Sequence, residues 1–435
     1  VAAGVKARVL IGDRDSGRLT VYDAGGAALR DLATELDLGA GIGDVLVLAE
    51  KEIAVFRGQA QARPDPLRKQ PYGLVPPPER SYIVALGHRA GGGADRARVV
   101  TTAGERVAQD FDVPGVNSAL GLSWNRRFLF ASGQTPAVGG GVASADGVVV
   151  RIVDGSTIWQ RTRLSQVAFG RDEAHLVSGD LAGAIEITDL GTGTSVAVVA
   201  DRLGSIEGAA AQGVVFRRNG TTTEGNALYL VDWKAAASPF DRSFPPYGDD
   251  RLVLLREQGR SMVFRRWNNG YGAVDPMGYF QFDPVSLTSH KLTPEPAMFE
   301  CLQDAPEPSY RMAGDVLRRC TCPSGACTDI ATLPPPTEPG WVRGSSPSPG
   351  GRFVAVVADW PGSALPVGNP DMLLYAGDGR PLLALPYGRI EFDASSTLAL
   401  VRGAATGGEY RIVDLETLRV TAVTVPNGFA AIVYE

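Results

Sequence analysis

Apolar residues recur along this chain in short runs of roughly four to eight, separated by clusters of Gly, Pro, Asp and Ser, the spacing of strands and tight turns. Four segments align with one another: LSWNRRFLFASG from Leu122, VAFGRDEAHLVSGD from Val167, SPSPGGRFVAVVAD from Ser346 and IEFDASSTLALVRG from Ile390. Their spacings are 45, 179 and 44 residues, the middle one close to four periods of 45. Each reads as a strand, a polar turn and a second strand. A second kind of segment follows within the period, a strand ending in Asp, then a polar turn, then another strand. Its copies are LTVYDAGGAALRDL with Asp23, VVVRIVDGSTIWQ with Asp154, AIEITDLGTGTSVAVV with Asp189, YFQFDPVSLTSHKL with Asp283 and YRIVDLETLRV with Asp414. An Asp at a strand end accepts hydrogen bonds from backbone about two residues on and closes the turn by itself. The alternation Ile185-Glu186-Ile187-Thr188 sets one apolar face, as a half-buried antiparallel strand requires.

Two hairpins in about 45 residues make a four-stranded antiparallel unit, and a strand-only period of this length is that of a propeller blade. The stretches AHLVSGDLAGAIEITDLGTGTSVAVV and 8–32 resemble blades of WD-repeat or YVTN-type propellers. Thr188 stands where the WD pattern has tryptophan, and the histidine–aspartate buttress of that pattern is missing, so the resemblance implies fold and not partner. The expected fold class is all-β, a single propeller over 1–435 with four-stranded antiparallel blades. Units are drawn at 8–32, 45–111, 117–162, 165–201, 210–267, 273–333, 342–385 and 387–425, eight by count with seven as the alternative. The first unit lacks one strand and the last segment, NGFAAIVYE, is one strand too many. Pairing them completes the unit and closes the ring, which hides edges that an open sheet exposes. Irregular loop insertions are expected at 59–80, 234–250 and 296–349, the first two and 333–349 being proline-rich or long.

Composition narrows the class. With 44% hydrophobic and 21% charged residues the chain is globular. The net charge of −6 and the absence of any basic run argue against a nucleic-acid partner. Lysine occurs only at Lys6, Lys51, Lys69, Lys234 and Lys291 against 37 arginines, a bias that points to a GC-rich bacterial genome. No run of 18 apolar residues is present, so no transmembrane helix is expected. The chain starts at Val1, which predicts a removed N-terminal segment, a signal peptide or a tag.

Cys301, Cys320, Cys322 and Cys327 lie within 27 residues of an otherwise cysteine-free chain. This clustered, even count predicts disulfides and an oxidising compartment: periplasm, cell surface or extracellular space. Three connectivities exist; Cys322–Cys327 with Cys301–Cys320 is the favoured one, because bridging Cys320 to Cys322 would be strained. The spacing fits structural zinc poorly.

Candidate chemistry is sparse. His88, His175 and His290 are spread over separate units, so neither a multi-histidine metal centre nor any cofactor is expected. Asp13-Arg14-Asp15-Ser16-Gly17 lacks most ligands of a calcium loop and reads as a turn. Gly91-Gly92-Gly93 and Gly139-Gly140-Gly141 precede no helix and carry no phosphate-binding Lys-Ser/Thr. Aromatics, in contrast, concentrate: 12 of 33 fall between 233 and 310. Trp233, Phe244, Tyr247, Arg266, Trp267, Asn268, Asn269 and Tyr271 combine the residue types enriched at partner surfaces, and ordinary packing is the competing reading. The expected role is a non-catalytic exported scaffold, with loops that bind another protein, an envelope component or a glycan. The alternative is a propeller enzyme of the lactonase, lyase or glycan-acting kind. It would use carboxylates or arginines at the channel mouth, with Asp172, Glu173, Glu391 and Asp393 as inner-strand candidates.

Overall fold

The inner apolar runs become strands buried on both faces, which is why they read as unbroken hydrophobic stretches and not as alternating ones. In the computed structural model, strand Ala7–Asp13 turns Val9 and Ile11 toward Leu398, Leu400 and Ile412. Leu10, between them in sequence, packs on Ile83 and Val100. The C-terminal strand Gly428–Tyr434 does the same, with Ala430, Ile432 and Tyr434 on one side and Phe429, Ala431 and Val433 on the other. Burying one such Leu or Ile contributes about 1.5–3 kcal/mol.

The structure describes residues 5–13, 18–32, 45–49, 52–56, 82–87, 95–107, 109–113, 119–123, 127–135, 144–170, 172, 174–180, 183–198, 203–209, 213–218, 227–235, 237–241, 251–258, 261–267, 278–283, 288–291, 309–321, 326–334, 342–359, 372–386, 388–403, 408–426 and 428–435. These form eight antiparallel sheets, numbered here in chain order. The first joins Ala28–Leu32, Leu19–Tyr22 and Ala7–Asp13 to Gly428–Tyr434, in register from Ala7 opposite Tyr434 to Asp13 opposite Gly428. The expected pairing of the last strand with the first unit is therefore present. The second sheet has five strands; Glu52–Phe56 lies outside Val45–Ala49, at the opposite edge from Phe111–Val113.

The third sheet has seven strands from Ala119–Leu122 to Ser195–Ala197. The units drawn at 117–162 and 165–201 are joined in it through one strand, Thr157–Phe169. Its first part pairs with Ser144–Arg151 and its second with His175–Asp180, and the switch falls at Arg163, a non-glycine residue at φ 57°.

Between 203 and 332 the sequence pattern predicts two units, whereas the chain forms three sheets. The fourth runs from Leu203–Ala209 to Ala237–Asp241, the fifth from Arg251–Gln258 to Thr288–Lys291, and the sixth comprises Ser309–Ala313, Val316–Cys320 and Cys327–Thr332. The span 234–250, expected as a loop, thus contributes an outer strand, and part of 296–349 is regular sheet. ASPFD shows no apolar alternation, and Pro239 is tolerated there because the strand is outermost and an edge N–H needs no partner. The seventh sheet runs from Val342–Pro347 to Pro381–Leu385 and the eighth from Gly388–Phe392 to Arg419–Thr424. The insertion expected at 59–80 lies outside the described residues.

Neighbouring sheets pack face to face. Val84, Ala97 and Val99 of the second meet Leu129 and Val148 of the third. Val177 and Ile187 of the third meet Val214, Phe216 and Val231 of the fourth. Leu317 of the sixth meets Val354 and Val356 of the seventh, and Phe353 and Met372 of the seventh meet Ala399 and Val413 of the eighth.

Candidate functional site

The turn between the first two strands of a unit carries a recurrent side-chain acceptor. Ser123 Oγ accepts the N–H groups of Arg127 and Phe128, each at 3.2 Å. Ser348 Oγ accepts that of Phe353 at 3.0 Å. Asp393, fully buried, accepts the N–H groups of Thr397 and Leu398 at 2.6 Å and of Ser395 at 2.9 Å, and the Ser395 hydroxyl as well. In each case the residue's own N–H donates to the carbonyl five residues on, as Gly170 also does to His175 at 2.7 Å. Asp393 is therefore consumed in closing a turn.

Two of the other carboxylates proposed for a channel-mouth enzyme are similarly engaged. Glu391 is paired with Arg402 at 3.2 Å. Asp172 Oδ2 lies 2.5 Å from His175 Nδ1, and Asp172 Oδ1 also accepts the N–H of Ala174 at 3.1 Å. Glu173 lies outside the described residues. Asp172 belongs to the third sheet and Glu391 and Asp393 to the eighth, so the structure does not bring them together in one sheet. Among the described residues no group of three His, Cys, Asp or Glu is placed to hold a metal ion. His88 and both triple-glycine runs lie outside the described residues.

Four of the five expected Asp-closed turns form, and the turn after Asp283 lies outside the described residues. Asp23 accepts the N–H of Ala27 at 2.8 Å, Asp154 that of Ser156 at 2.9 Å, Asp189 those of Gly191 and Thr192 at 2.8 and 2.9 Å, and Asp414 that of Glu416 at 2.9 Å. The N–H groups of Thr192 and then Gly191 hold the Asp189 carboxyl below the usual range. For Asp154 the Ser156 hydroxyl is the main cause of the same effect. Asp232 and Asp378 close turns in the same way, at 2.9 and 3.0 Å, without having been singled out in sequence.

Trp233 takes a packing role in the structure. Its ring stacks on His175 with centroids 4.9 Å apart and planes 4° from parallel, joining the turn after Asp232 in the fourth sheet to the third. Gly170 leaves the space for this, since a Cβ there would sit 2.6 Å from Asp172 Oδ1 and 3.0 Å from the Trp233 ring. Two tyrosines key neighbouring sheets in the same manner; Tyr310 belongs to the aromatic concentration at 233–310, and Tyr434 was not singled out in sequence. Tyr310 donates to the Gly351 carbonyl at 2.8 Å, and Tyr434 Oη accepts the N–H of Ala394 at 3.0 Å.

Phe244, Tyr247, Asn268, Asn269 and Tyr271 lie outside the described residues; Arg266 and Trp267 end strand Ser261–Trp267. Register still orders this region. Arg251 pairs with Trp267, and Arg266 with Gly278. The connection 242–250, which leads into Arg251, and the connection 268–277, which leaves Trp267, therefore meet the fifth sheet at one end. The sixth sheet repeats the pattern: Ser309 is opposite Cys320, and Cys320 opposite Cys327.

Cys320 is bonded to Cys327 across that hairpin, with Cα atoms 4.0 Å apart. This replaces the favoured pairing of Cys322 with Cys327 and Cys301 with Cys320. The hairpin register sets Cys320 opposite Cys327, a parity that spacing alone does not reveal. Cys301 and Cys322 lie outside the described residues. No helix among the described residues is long and apolar enough to cross a membrane.

Successive antiparallel meanders packed face to face, with the last strand completing the first sheet, define a β-propeller fold. No protein-family model matches the chain, and no curated protein sequence matches it. Its structure is similar to the crystal structure of a eukaryotic initiation factor, at 11% identity and a TM-score of 0.57, covering 99% of this chain and 98% of that one. At that identity the likeness is one of fold. Weaker likenesses include the C-terminal WD40 domain of Sif2, at 11% identity and TM-score 0.33, over 82% of this chain and 95% of that one. The β-propeller domain of the Trilobed protease from Pyrococcus furiosus gives 7% and 0.33, over 69% and 93%.

Proposed function

We propose that this chain is a non-catalytic, exported β-propeller scaffold. It binds another protein or a cell-envelope component through the connections at the Arg251–Trp267 end of the fifth sheet. What supports the reading is the register of that sheet, in which Arg251 stands opposite Trp267 and Arg266 opposite Gly278; Phe244, Tyr247, Asn268, Asn269 and Tyr271 belong to the stretches of sequence that flank these strand ends. Arg266 and Trp267 stand at the root of the second connection. Rigid aromatic area beside amide and guanidinium donors is what partner surfaces use, and a glycan face is the other ligand this chemistry suits. The structural engagement of Asp172, Glu391 and Asp393 supports a non-catalytic role. The Cys320–Cys327 bridge supports export.

The ring has nine units in this reading. Support comes from the third sheet, whose seven strands divide at Arg163 into two units sharing Thr157–Phe169, added to the seven other sheets. The pairing of Gly428–Tyr434 with Ala7–Asp13, and the packing of the eighth sheet on the first, support closure.

The test is a paired purification from the native source, with tagged wild-type chain and a Trp267→Ala/Tyr271→Ala variant compared by quantitative mass spectrometry. A companion retained by the wild type and lost at least tenfold by the variant is expected. A clean monomer, or a companion indifferent to the substitutions, overturns the reading.

A further inference from the structure

We infer that strand Glu52–Phe56 is a built-in plug, a surplus strand that the chain adds to the axial edge of the second sheet and that fills the centre of the ring. The sheet runs in the order Glu52–Phe56, Val45–Ala49, Tyr82–Gly87, Asp95–Thr101, Phe111–Val113. Its last four strands make a complete unit without the first. Val45–Ala49 pairs directly with Tyr82–Gly87, from Val45 opposite Gly87 to Leu48 opposite Val84, so the chain leaves the meander at Ala49 and rejoins it beside the same point. Glu52–Phe56 turns back on Val45–Ala49, from Ala49 opposite Glu52 to Val45 opposite Phe56.

Contacts at the far edge fix which way the surplus strand faces. A Cβ on Gly155, in the turn leading to the outer part of the third sheet, would lie 3.4 Å from Phe111. One on Gly104, in the turn before Phe111–Val113, would lie 3.6 Å from Leu32 of the outermost strand of the first sheet. Phe111–Val113 is therefore at the rim, and Glu52–Phe56 is at the axis. First strands of neighbouring sheets converge on that axis: Thr157–Phe169 touches Leu203–Ala209, which touches Arg251–Gln258, and Ser309–Ala313 touches Val342–Pro347. Composition agrees. In VLVLAEKEIAVF the charged residues Glu50, Lys51 and Glu52 are consecutive, and VLVLA and IAVF are apolar at every position. A strand apolar at successive positions is one covered on both faces, and the centre of a ring supplies that cover. The inference rests on the closed-ring reading. Its consequence is that ligands are confined to the ends of the sheets and their connections, because the chain itself occupies the axis.

The test uses the full chain with Val55 or Phe56 replaced by photoreactive p-benzoylphenylalanine, neighbouring positions pointing to opposite faces. Mass spectrometry after irradiation should find cross-links to first strands across the ring, such as Arg251–Gln258, Ser309–Ala313 or Gly388–Phe392. Products only on the first strands of the first and third sheets, products on outermost strands, or none in a folded chain overturn the plug. Hydrogen exchange along Gly428–Tyr434 reads closure in the same samples. Protection there without a cross-link across the ring refutes the plug and leaves the closed ring standing, whereas loss of protection removes both. A second variant replaces 50–81 with Asn-Gly. It should fold, with about tenfold or faster exchange at alternate amides of Val45–Ala49, those that face Glu52–Phe56, and unchanged exchange at those bonded to Tyr82–Gly87. Added peptide 50–58 should restore the protection. Loss of protection throughout the second sheet, or failure to fold, shows that the strand is integral to the sheet and overturns the inference.

Discussion

Replacing Asp393 with alanine should destabilise the eighth sheet far more than a surface carboxylate change would. The side chain is fully buried and accepts three backbone N–H groups, those of Ser395, Thr397 and Leu398. A buried donor stripped of its acceptor costs about 1–3 kcal/mol. The Leu398 N–H is buried and should bear the full cost, whereas water reaches Ser395 and offsets part of the loss there. The sum is about 3–4 kcal/mol. The chain supplies its own control, because Ser123 and Ser348 occupy the equivalent turn position with a single hydroxyl acceptor. Asp393→Ser should therefore retain the contact to Leu398 and lose only about 1–2 kcal/mol. Urea unfolding of both variants, with hydrogen exchange at the Leu398 amide as a local readout, measures the difference. An Asp393→Ala variant within 1 kcal/mol of wild type, or an Asp393→Ser variant as damaged as Asp393→Ala, would refute the turn-closing role (about 1 kcal/mol being the net worth of one ordinary hydrogen bond).

Other outcomes follow from single contacts. Gly377→Ala would place a Cβ 2.2 Å from the Gly351 carbonyl and 2.7 Å from Tyr310 Oη, so a loss of about 2 kcal/mol or more is expected in thermal or urea unfolding. Trp233→Ala should cost about 2–3 kcal/mol by removing the stack on His175, while leaving partner capture intact at temperatures where the variant is folded; Trp233→Phe should recover most of the stability. Burial pushes the Glu435 carboxyl up, but its hydrogen bond and charge contact with Arg8, and then Arg30, outweigh this and hold it below the usual range. A depressed carboxyl stabilises the fold above its unfolded value, near 4.3, and loses that contribution as pH falls through the folded value. Glu435→Gln should flatten this part of the acid-unfolding curve, and an unchanged curve would count against the clamp.

Much of the fold was legible because its signals are local. Period-2 alternation at 185–188, the turn-closing Asp23, Asp154, Asp189 and Asp414, and the surplus strand after Asn427 all express short-range chemistry, and all have structural counterparts. Unit boundaries between 203 and 332 were not legible. The outermost strand Ala237–Asp241, ASPFD, carries no apolar alternation, and Thr157–Phe169 runs through a boundary without a break. Trp233 looked like a surface aromatic because its partner, His175, lies 58 residues away in another sheet. Cysteine pairing was hidden for a related reason, since it depends on which residue the hairpin register sets opposite Cys327.

The same turn filled by Ser123, Ser348 and Asp393 bears on where activity should be sought. A carboxylate at that position performs the task that a serine hydroxyl performs elsewhere in the chain, accepting the amide five residues on. Its charge is therefore incidental to the turn, and an acidic residue on the inner side of a unit is weak ground for assigning catalysis. Repetition identifies structural side chains: what recurs with the period holds the unit together. Functional side chains are better sought where the period is interrupted. In this chain the interruption falls between 234 and 333, a single stretch of sequence that holds the concentration of aromatic residues and the Cys320–Cys327 bridge.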